Sequence, residues 1–365
     1  MKYCVLGAGL MGKAIAYDLL QYGNAEKIII VDQDKNQITR AIEFLNNTCC
    51  RDAVNRVSTK IFNANNILEI ENLFSDVDAA IAAIYYGFNV AFSRIAIKTK
   101  THLCDLGGNS AVVDEQLKLH KEAEKAGVSI IPDCGLAPGM VAVLVKWGIE
   151  KFNWADTVKI RVGGLPVSPK NKLKYERLFS VDGLVNEYIE PVRVLRNGKI
   201  EIIEPLTEIE EINFAGAFHG TSLQAFTTSG GTSTLIETYK DRLKNLDYKT
   251  IRYAGHCEEI KKLQKEGLFS HEYFEKNLPL CTDDVTLVKI IFMGGANIHE
   301  IEIIDRAKPP FTSMMRMTAF PAAIISQMQA KNEIKKYGVL PQERCVPVDL
   351  FIKELKKREI NISGI

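Results

Sequence analysis

The chain has 365 residues, 46% of them hydrophobic and 25% charged, an ordinary balance for a globular protein with room for about two cores. Its 46 Lys and Arg against 45 Asp and Glu leave a formal charge of +1, too little to attract nucleic acid or anionic membrane. No apolar run reaches the roughly 18–20 residues that span a bilayer, and nothing at the start reads as a secretory signal, so a cytoplasmic protein is expected, with eight reduced cysteines that lack CxxC spacing and no metal.

The first twenty residues, MKYCVLGAGLMGKAIAYDLL, give a short apolar run to Leu6, glycines at 7, 9 and 12, and then apolar residues at helical spacing. This predicts strand, tight turn and helix. The next apolar run, 27–31, ends in Asp32, 20 residues beyond Gly12. Together these form a dinucleotide-binding pattern: Gly7 for the turn, Gly9 for close approach of a pyrophosphate, Gly12 for helix packing, and the N–H groups of Leu10 and Met11 for the phosphates. Asp32 would accept from the adenosine ribose hydroxyls and repel a 2′-phosphate, so NAD is expected over NADP. Arg40, on a helix predicted from 37 to 45, is the alternative phosphate partner.

Strands near 58–62, 78–84, 101–104 and 128–132 alternate with helices near 66–74, 88–99, 112–126 and 138–151. This predicts a doubly wound parallel sheet, a Rossmann fold of order 3-2-1-4-5-6, with ligands outside the carboxyl ends of the strands. Three of those ends carry small or glycine residues. AAIYYGFN (82–89) and CDLGGN (104–109) place Ala83, Tyr85, Leu106 and Gly107 beside the ribose and nicotinamide, with Tyr85 and Tyr86 either flanking the ring or buried in the core. IIPDCGLAPGM (130–140) sets Asp133 between two prolines and two glycines, Gly135 among them, a loop that fixes the position of a carboxylate. The alternative is an Asp cap in a stiff connector. Cys134 is expected to pack structurally.

From about 156 the pattern changes to short alternating runs, TVKIRVGGLP, YIEPVRVLRNGKIEIIEP, TIRYAG and VTLVKIIFMGG, with helices near 181–188 and 256–266. A mainly antiparallel sheet follows. After 312 a long helical segment returns. The expected architecture is α/β: a nucleotide-binding domain over 1–137, an inserted α+β substrate and dimerisation domain over 138–311, and a C-terminal helical segment over 312–365 packing back on the first domain, with a cleft between the two. In the inserted region, AFTTSGGTSTL offers the hydroxyls of Thr228 and Ser229 for oxyanion contacts, or an ordinary turn. Arg252 suits a carboxylate by its planar fork, or an ion pair. His256, just past Gly255, is a candidate base, a helix cap or a core histidine.

The ordered set VLGAGLMGKAIAYDL, DLGGN, IIPDCGLAPGM, VGGLP, LFSVDGL, RNGK, TSGGTSTL, YKTIRYAGH and GVLP resembles the saccharopine dehydrogenase-like family over nearly the whole chain, and within it most resembles lysine 6-dehydrogenases. Asn63-Ala64-Asn65 stands where an acidic residue is more usual, and Ala82 where Asn is often found. The resemblance implies NAD-dependent oxidation of the side-chain amine of L-lysine to allysine, which cyclises to a piperideine carboxylate, by a homodimer. Asp133 is expected to stabilise an iminium, His256 to act as base, and Arg252, with Thr228, Ser229 and Tyr175, to bind the amino-acid substrate. The alternatives are a saccharopine-type imine reductase, which needs further cations such as Arg161, Arg177 and Arg193, and a non-catalytic dinucleotide-binding protein.

Overall fold

The computed structural model describes residues 1–214 and 222–365. The chain divides into two compact units, one of Met1–Leu144 with Met315–Glu359, the other of Val145–Met314 with Ile360–Ile365. Of the segment 312–365, the last six residues belong to the second unit, where Ser363 exchanges backbone hydrogen bonds with Glu302. That part of the expected return is corrected. Among the described residues no helix is long and apolar enough to cross a membrane.

The first unit carries a parallel sheet. Its strands are β1 (Lys2–Leu6), β2 (Lys27–Asp32), β3 (Val57–Ile61), β4 (Ala79–Ala82), β5 (His102–Asp105) and β6 (Ser129–Ile131). They lie in the order 3-2-1-4-5-6, as the alternation of strands and helices predicts. The central strands read as unbroken apolar runs because both faces are covered, and β4 is buried at all four positions. A core of Leu6, Val31, Phe74, Ala82, Phe92, Leu103 and Ile130 fills one face. The helix expected over 112–126 is two helices, Ser110–Leu117 and His120–Ala126, broken where Leu119 turns into that core.

The second unit is built on an eight-stranded sheet. Its strands are β7 (Thr157–Pro166), β8 (Val192–Arg196), β9 (Lys199–Ile203), β10 (Glu210–Ile212), β11 (Leu223–Thr227), β12 (Asn245–Tyr253), β13 (Asp284–Gly294) and β14 (Asn297–Arg306). Among the described residues all strand pairings but one are antiparallel; β7 and β12 run parallel. The β8–β9 hairpin turns at Asn197 and Gly198, both at positive φ, the geometry an Asn-Gly pair favours. Leu165, Phe214, Leu223, Ile251, Val285 and Leu287 form a core on this sheet. The helices Val181–Ile189 and His256–Lys265 lie where the sequence predicts them.

The chain leaves the first unit within the helix Met140–Lys151 and re-enters it within the helix Ser313–Ala330. A seventh strand, β15 (Gly338–Val339), then adds to β6 in parallel. With two residues it is too short to leave a periodic signal. A final helix, Val348–Lys357, leads to Arg358, whose guanidinium meets Asp18 of the first helix where both are fully buried.

Candidate functional site

The glycine turn after β1 is shaped by contacts that exclude side chains. Gly7 has φ +102°, and a Cβ there would lie 2.4 Å from Ala83 O. At Gly12 a Cβ would lie 1.9 Å from Gly7 O, so only glycine lets the helix Leu10–Gln21 sit this close to the turn. Gly9 differs: beyond its chain neighbours, no described residue has an atom within 4 Å of the Cβ position. It heads the helix, no side chain caps the end, and no acid lies in the first turn, which includes Leu10 and Met11. Uncapped N–H groups, a positive helix end and open space at Gly9 fit a pyrophosphate.

Asp32 stands beside this turn at the end of β2. Its Oδ2 accepts from Ala8 N–H at 2.8 Å and its Oδ1 from Asp34 N–H at 2.9 Å. Each oxygen keeps capacity for a further donor such as a ribose hydroxyl. Asn63 Nδ2 donates to Gln33 Oε1 at 2.7 Å, and Asn63 Oδ1 accepts from Asn65 N–H. Arg40 is exposed on the helix Lys35–Thr48. Burial, and then the charge of Arg40, hold the Lys13 ammonium below its usual range.

The ends of β4 and β5 share this edge of the sheet. Ala83 N–H donates to Leu6 O and Leu106 N–H to Ala82 O, at 2.8 and 3.2 Å. Tyr85 is 53% exposed, with its ring 4.5 Å from that of Tyr86, so it is not a core residue. Tyr86 packs on Gly108, where a Cβ would lie 2.7 Å from its ring.

After β6 the loop around Asp133 is held by buried groups from elsewhere in the unit. Asp133 has φ +61°, a left-handed conformation that Asp tolerates at a cost, and is 3% exposed. Its N–H donates to Asp105 Oδ1 at 3.1 Å, and its carbonyl accepts from Gln342 Nε2 at 2.5 Å. Its Oδ1 lies 1.8 Å from where a Cβ of Gly107 would stand, so the carboxylate rests on the bare backbone of the DLGGN turn. Asp105 Oδ1 also accepts from Gly107 N–H at 2.8 Å, and Oδ2 from Gln116 Nε2 at 2.8 Å. Burial raises the Asp105 carboxyl above the usual carboxylate range, against the pull of those three donors. One buried carboxylate thus ties the β5 turn to the β6 elbow.

Gly139, at φ +133°, is pressed on Gly135, whose carbonyl accepts from Met140 N–H where the next helix begins. That helix starts at Met140, not at Pro138 as predicted, so Asp133 is not its cap. Cys134 is fully buried, and burial pushes its thiol up, consistent with packing.

In the second unit a different cluster forms around Arg252 on β12. The residue is 2% exposed. Its Nε donates to Tyr188 Oη at 3.1 Å, its Nη1 to Ile251 O at 3.0 Å and its Nη2 to Glu187 Oε2 at 3.2 Å. The Tyr175 ring lies over the guanidinium, 4.7 Å away. His256 Nδ1 is 2.7 Å from Leu173 O, which can only accept, so Nδ1 carries the proton and Nε2 accepts from Tyr188 Oη at 3.0 Å. Burial and then the Arg252 charge push His256 down to about 3. A general base works best near the operating pH. His256 is a neutral link in the chain Arg252 to Tyr188 to His256 to Leu173, and with both ring nitrogens engaged it has no free nitrogen to serve as the expected base.

Thr228 Oγ1 is 2.6 Å from Thr250 Oγ1, while Ser229 donates through Oγ to Asn186 O and through N–H to Glu187 O. The hydroxyl-rich stretch therefore pins the end of the helix that carries Glu187. Burial pushes Glu187 up to about 7, against the pull of Arg252. Asp105, Gln342, Glu187 and Tyr188 escaped the sequence reading. Asp105 had a signal, an acid closing an apolar strand just before two glycines; the others lie on helices whose pattern does not distinguish them. Of the further cations, Arg161 is paired with Asp247 and Glu210, and Arg193 with Glu237.

Residues 3–131 match the family described as "Saccharopine dehydrogenase NADP binding domain", and residues 135–360 match "Saccharopine dehydrogenase C-terminal domain". Among curated proteins the chain is similar to the mitochondrial alpha-aminoadipic semialdehyde synthase of Bos taurus, 24% identical over 281 residues. That match covers 75% of this chain and 29% of the relative. The Arabidopsis thaliana alpha-aminoadipic semialdehyde synthase is 25% identical over 54% of this chain and 19% of its own length. The chain thus spans under a third of the curated relatives it matches. Among solved structures it resembles apo saccharopine dehydrogenase (L-Glu forming) from Saccharomyces cerevisiae, with TM-score 0.78, 16% identity and coverage of 100% of this chain and 99% of that one. It also resembles the homospermidine synthase from Legionella pneumophila in complex with NAD, with TM-score 0.70, 14% identity and coverage of 100% and 91%. At these identities the two structures show the shared fold.

Proposed function

The chain belongs to the saccharopine dehydrogenase family, its first unit carrying a nicotinamide dinucleotide-binding domain, and from that premise we propose that it oxidises the side-chain amine of L-lysine. The observation that carries the reading is the Asp133 elbow: a carboxylate fixed at the strand-end edge, in a left-handed turn tied to Asp105 and Gln342. In the proposed reaction the alkylammonium, the oxidised dinucleotide and water give an aldehyde, ammonium, the reduced dinucleotide and a proton. The aldehyde, allysine, closes on its own α-amine. When bound, the nicotinamide accepts a hydride from the carbon bearing the amine.

The chain's residues must make that departure possible. An amine of pKa about 10.4 is protonated at pH 7, and freeing its lone pair costs about 4–5 kcal/mol. Asp133 would lower the barrier by facing the iminium that develops as hydride leaves. Its rigid placement means that little reorganisation accompanies the charge change. Arg252 is assigned to the substrate α-carboxylate, with Thr228, Ser229 and Tyr175 supporting the same cluster. With His256 neutral, no side chain is assigned as base.

NAD is proposed as the cofactor because Asp32 presents both oxygens beside the glycine turn. The proximity of Lys13 and Arg40 favours NADP as the second reading. Saccharopine, a larger tricarboxylate, is the second substrate reading, and its further carboxylates would have to displace the acids paired with Arg161 and Arg193. A homodimer is part of the proposal; the edge strand β9, with Ile202 72% exposed, is a surface it could cover, and sedimentation would report the mass.

The test is turnover of an amino-acid panel with NAD and with NADP, read at the reduced-nicotinamide absorbance. Lysine with NAD should be the fastest pair. Asp133→Asn should lower turnover by more than roughly tenfold and leave dinucleotide affinity near wild type. Unchanged turnover would remove Asp133 from the chemistry.

A further inference from the structure

The assignment of Arg252 to a substrate carboxylate meets a physical difficulty, because all three of its nitrogens already have partners. Two of those partners, Tyr188 Oη and Ile251 O, are neutral and buried. The third, Glu187, is charged when ionised and keeps 24% of its side chain exposed, against 3% for Arg252. Glu187 meets the guanidinium through one nitrogen at 3.2 Å and not through a two-pronged fork. In the same unit, Arg161 and Arg196 hold Asp247 at 2.6 and 2.8 Å. The Arg252 pair is the looser arrangement, and its acid is the member within reach of solvent.

We propose that Glu187 is a displaceable internal counter-ion: its carboxylate occupies Arg252 in the free protein, and an incoming carboxylate takes its place. The proposal rests on the reading of Arg252 given above and adds the residue that competes with the ligand. Helix Val181–Ile189 supplies Glu187 from its last turn, so a rotamer change releases the fork without moving the sheet. The backbone carbonyl of Glu187 stays bonded to Ser229 N–H meanwhile.

Among the described residues Glu187 contacts Arg252 and acts electrostatically on Tyr188, Tyr175 and Tyr248, with His256 one bond beyond Tyr188. The tyrosines lie above their ordinary range through burial and stay neutral between pH 6 and 8. Arg252 is raised further by the tyrosines and Glu187, and His256, at about 3, is uncharged there. Among these groups Glu187, at about 7, alone changes charge in that interval. Protonation removes the competitor, so carboxylate affinity should rise as pH falls from 8 to 6.

The experiment uses the full chain and hexanoate, which has lysine's six carbons and no amine to titrate. Calorimetry at pH 8 should find hexanoate bound at least roughly threefold more tightly by Glu187→Gln than by wild type, the two converging at pH 6. Arg252→Lys should weaken it at both pH values. Equal affinities for wild type and Glu187→Gln at pH 8, or a flat wild-type pH profile, would overturn the displacement. The wild-type profile needs no variant and holds even if a substitution fails to fold. If the hexanoate pattern appears while lysine is not turned over, the carboxylate subsite stands and the lysine reading falls. Lysine turnover without the pattern gives the reverse.

Discussion

The elbow at Asp133 and the cluster at Arg252 both bury charge, but they are made of different material. In the first unit, the Asp105 carboxylate is held largely by main-chain N–H groups, and the Asp133 carboxylate rests on a glycine backbone. In the second, Arg252 is held mainly by the side chains of Glu187, Tyr188 and Tyr175. Main-chain donors at strand ends are fixed by the sheet, so a group they hold keeps its place. Side-chain partners exchange by rotation about single bonds. The first arrangement suits a charge that must stay put while a reaction passes; the second suits one that yields to a ligand.

The largest effects should come from the main-chain-built region. Gly9 and Gly12 separate binding from folding. Alanine at Gly12 gains about 1 kcal/mol of helix propensity but puts a Cβ 1.9 Å from Gly7 O, and overpacking against backbone costs about 1–3 kcal/mol or more. The overlap should win and lower the melting temperature. Alanine at Gly9 meets no atom of the described residues beyond its chain neighbours, so melting should be unchanged, while dinucleotide affinity should fall by roughly tenfold or more if the methyl fills the place proposed for the phosphate. Calorimetric titration with NAD and a thermal melt on each variant decide it. A Gly9→Ala protein that binds as wild type would move the phosphate elsewhere.

The two materials also explain what could be read in the chain. Gly7, Gly12, Gly107 and Gly139 are required by close approach or positive φ, and such demands appear in sequence as glycine at fixed offsets from strands. The sheet order followed from the same alternation of strands and helices. The Arg252 cluster draws on positions 175, 187, 188, 252 and 256, brought together only by the fold of the second unit. Arg252 and His256 were visible by type alone. For His256, type could not show the burial and the Arg252 charge that hold it neutral, surroundings that only the fold brings together.

Asp105 tests the elbow at intermediate size. Asp105→Ala removes the acceptor shared by Gly107 and Asp133 and should lower turnover about tenfold, with a smaller effect on dinucleotide affinity. Asp105→Asn keeps one oxygen for both N–H groups. Gln116 Oε1, which has no hydrogen-bond partner among the described residues, can turn to accept from the new amide. The Asn variant should therefore recover turnover to within about threefold of wild type. Failure of Asn to rescue would mean that the charge of Asp105 matters and not its geometry.

The smallest effect is a sign. Glu187 titrates at about 7 in the folded chain against an ordinary 4.5, so the native state binds the proton more tightly than the unfolded chain does. Its contribution is favourable at low pH, declines as pH rises from about 4.5 to about 7, and stays lost above. The deficit at pH 8 is about 1–3 kcal/mol once partial exposure is allowed for. Glu187→Gln removes it and should raise the melting temperature at pH 8 by about 3 °C or more, with the gap closing toward pH 5. The opposing effect is the loss of a counter-ion for a buried guanidinium, which in tightly held pairs costs about 3–5 kcal/mol. If that prevails, the variant melts lower than wild type at pH 8. The direction of the shift thus measures how firmly Glu187 is bound to Arg252, and a fall would mean a pair too strong for a substrate carboxylate to displace.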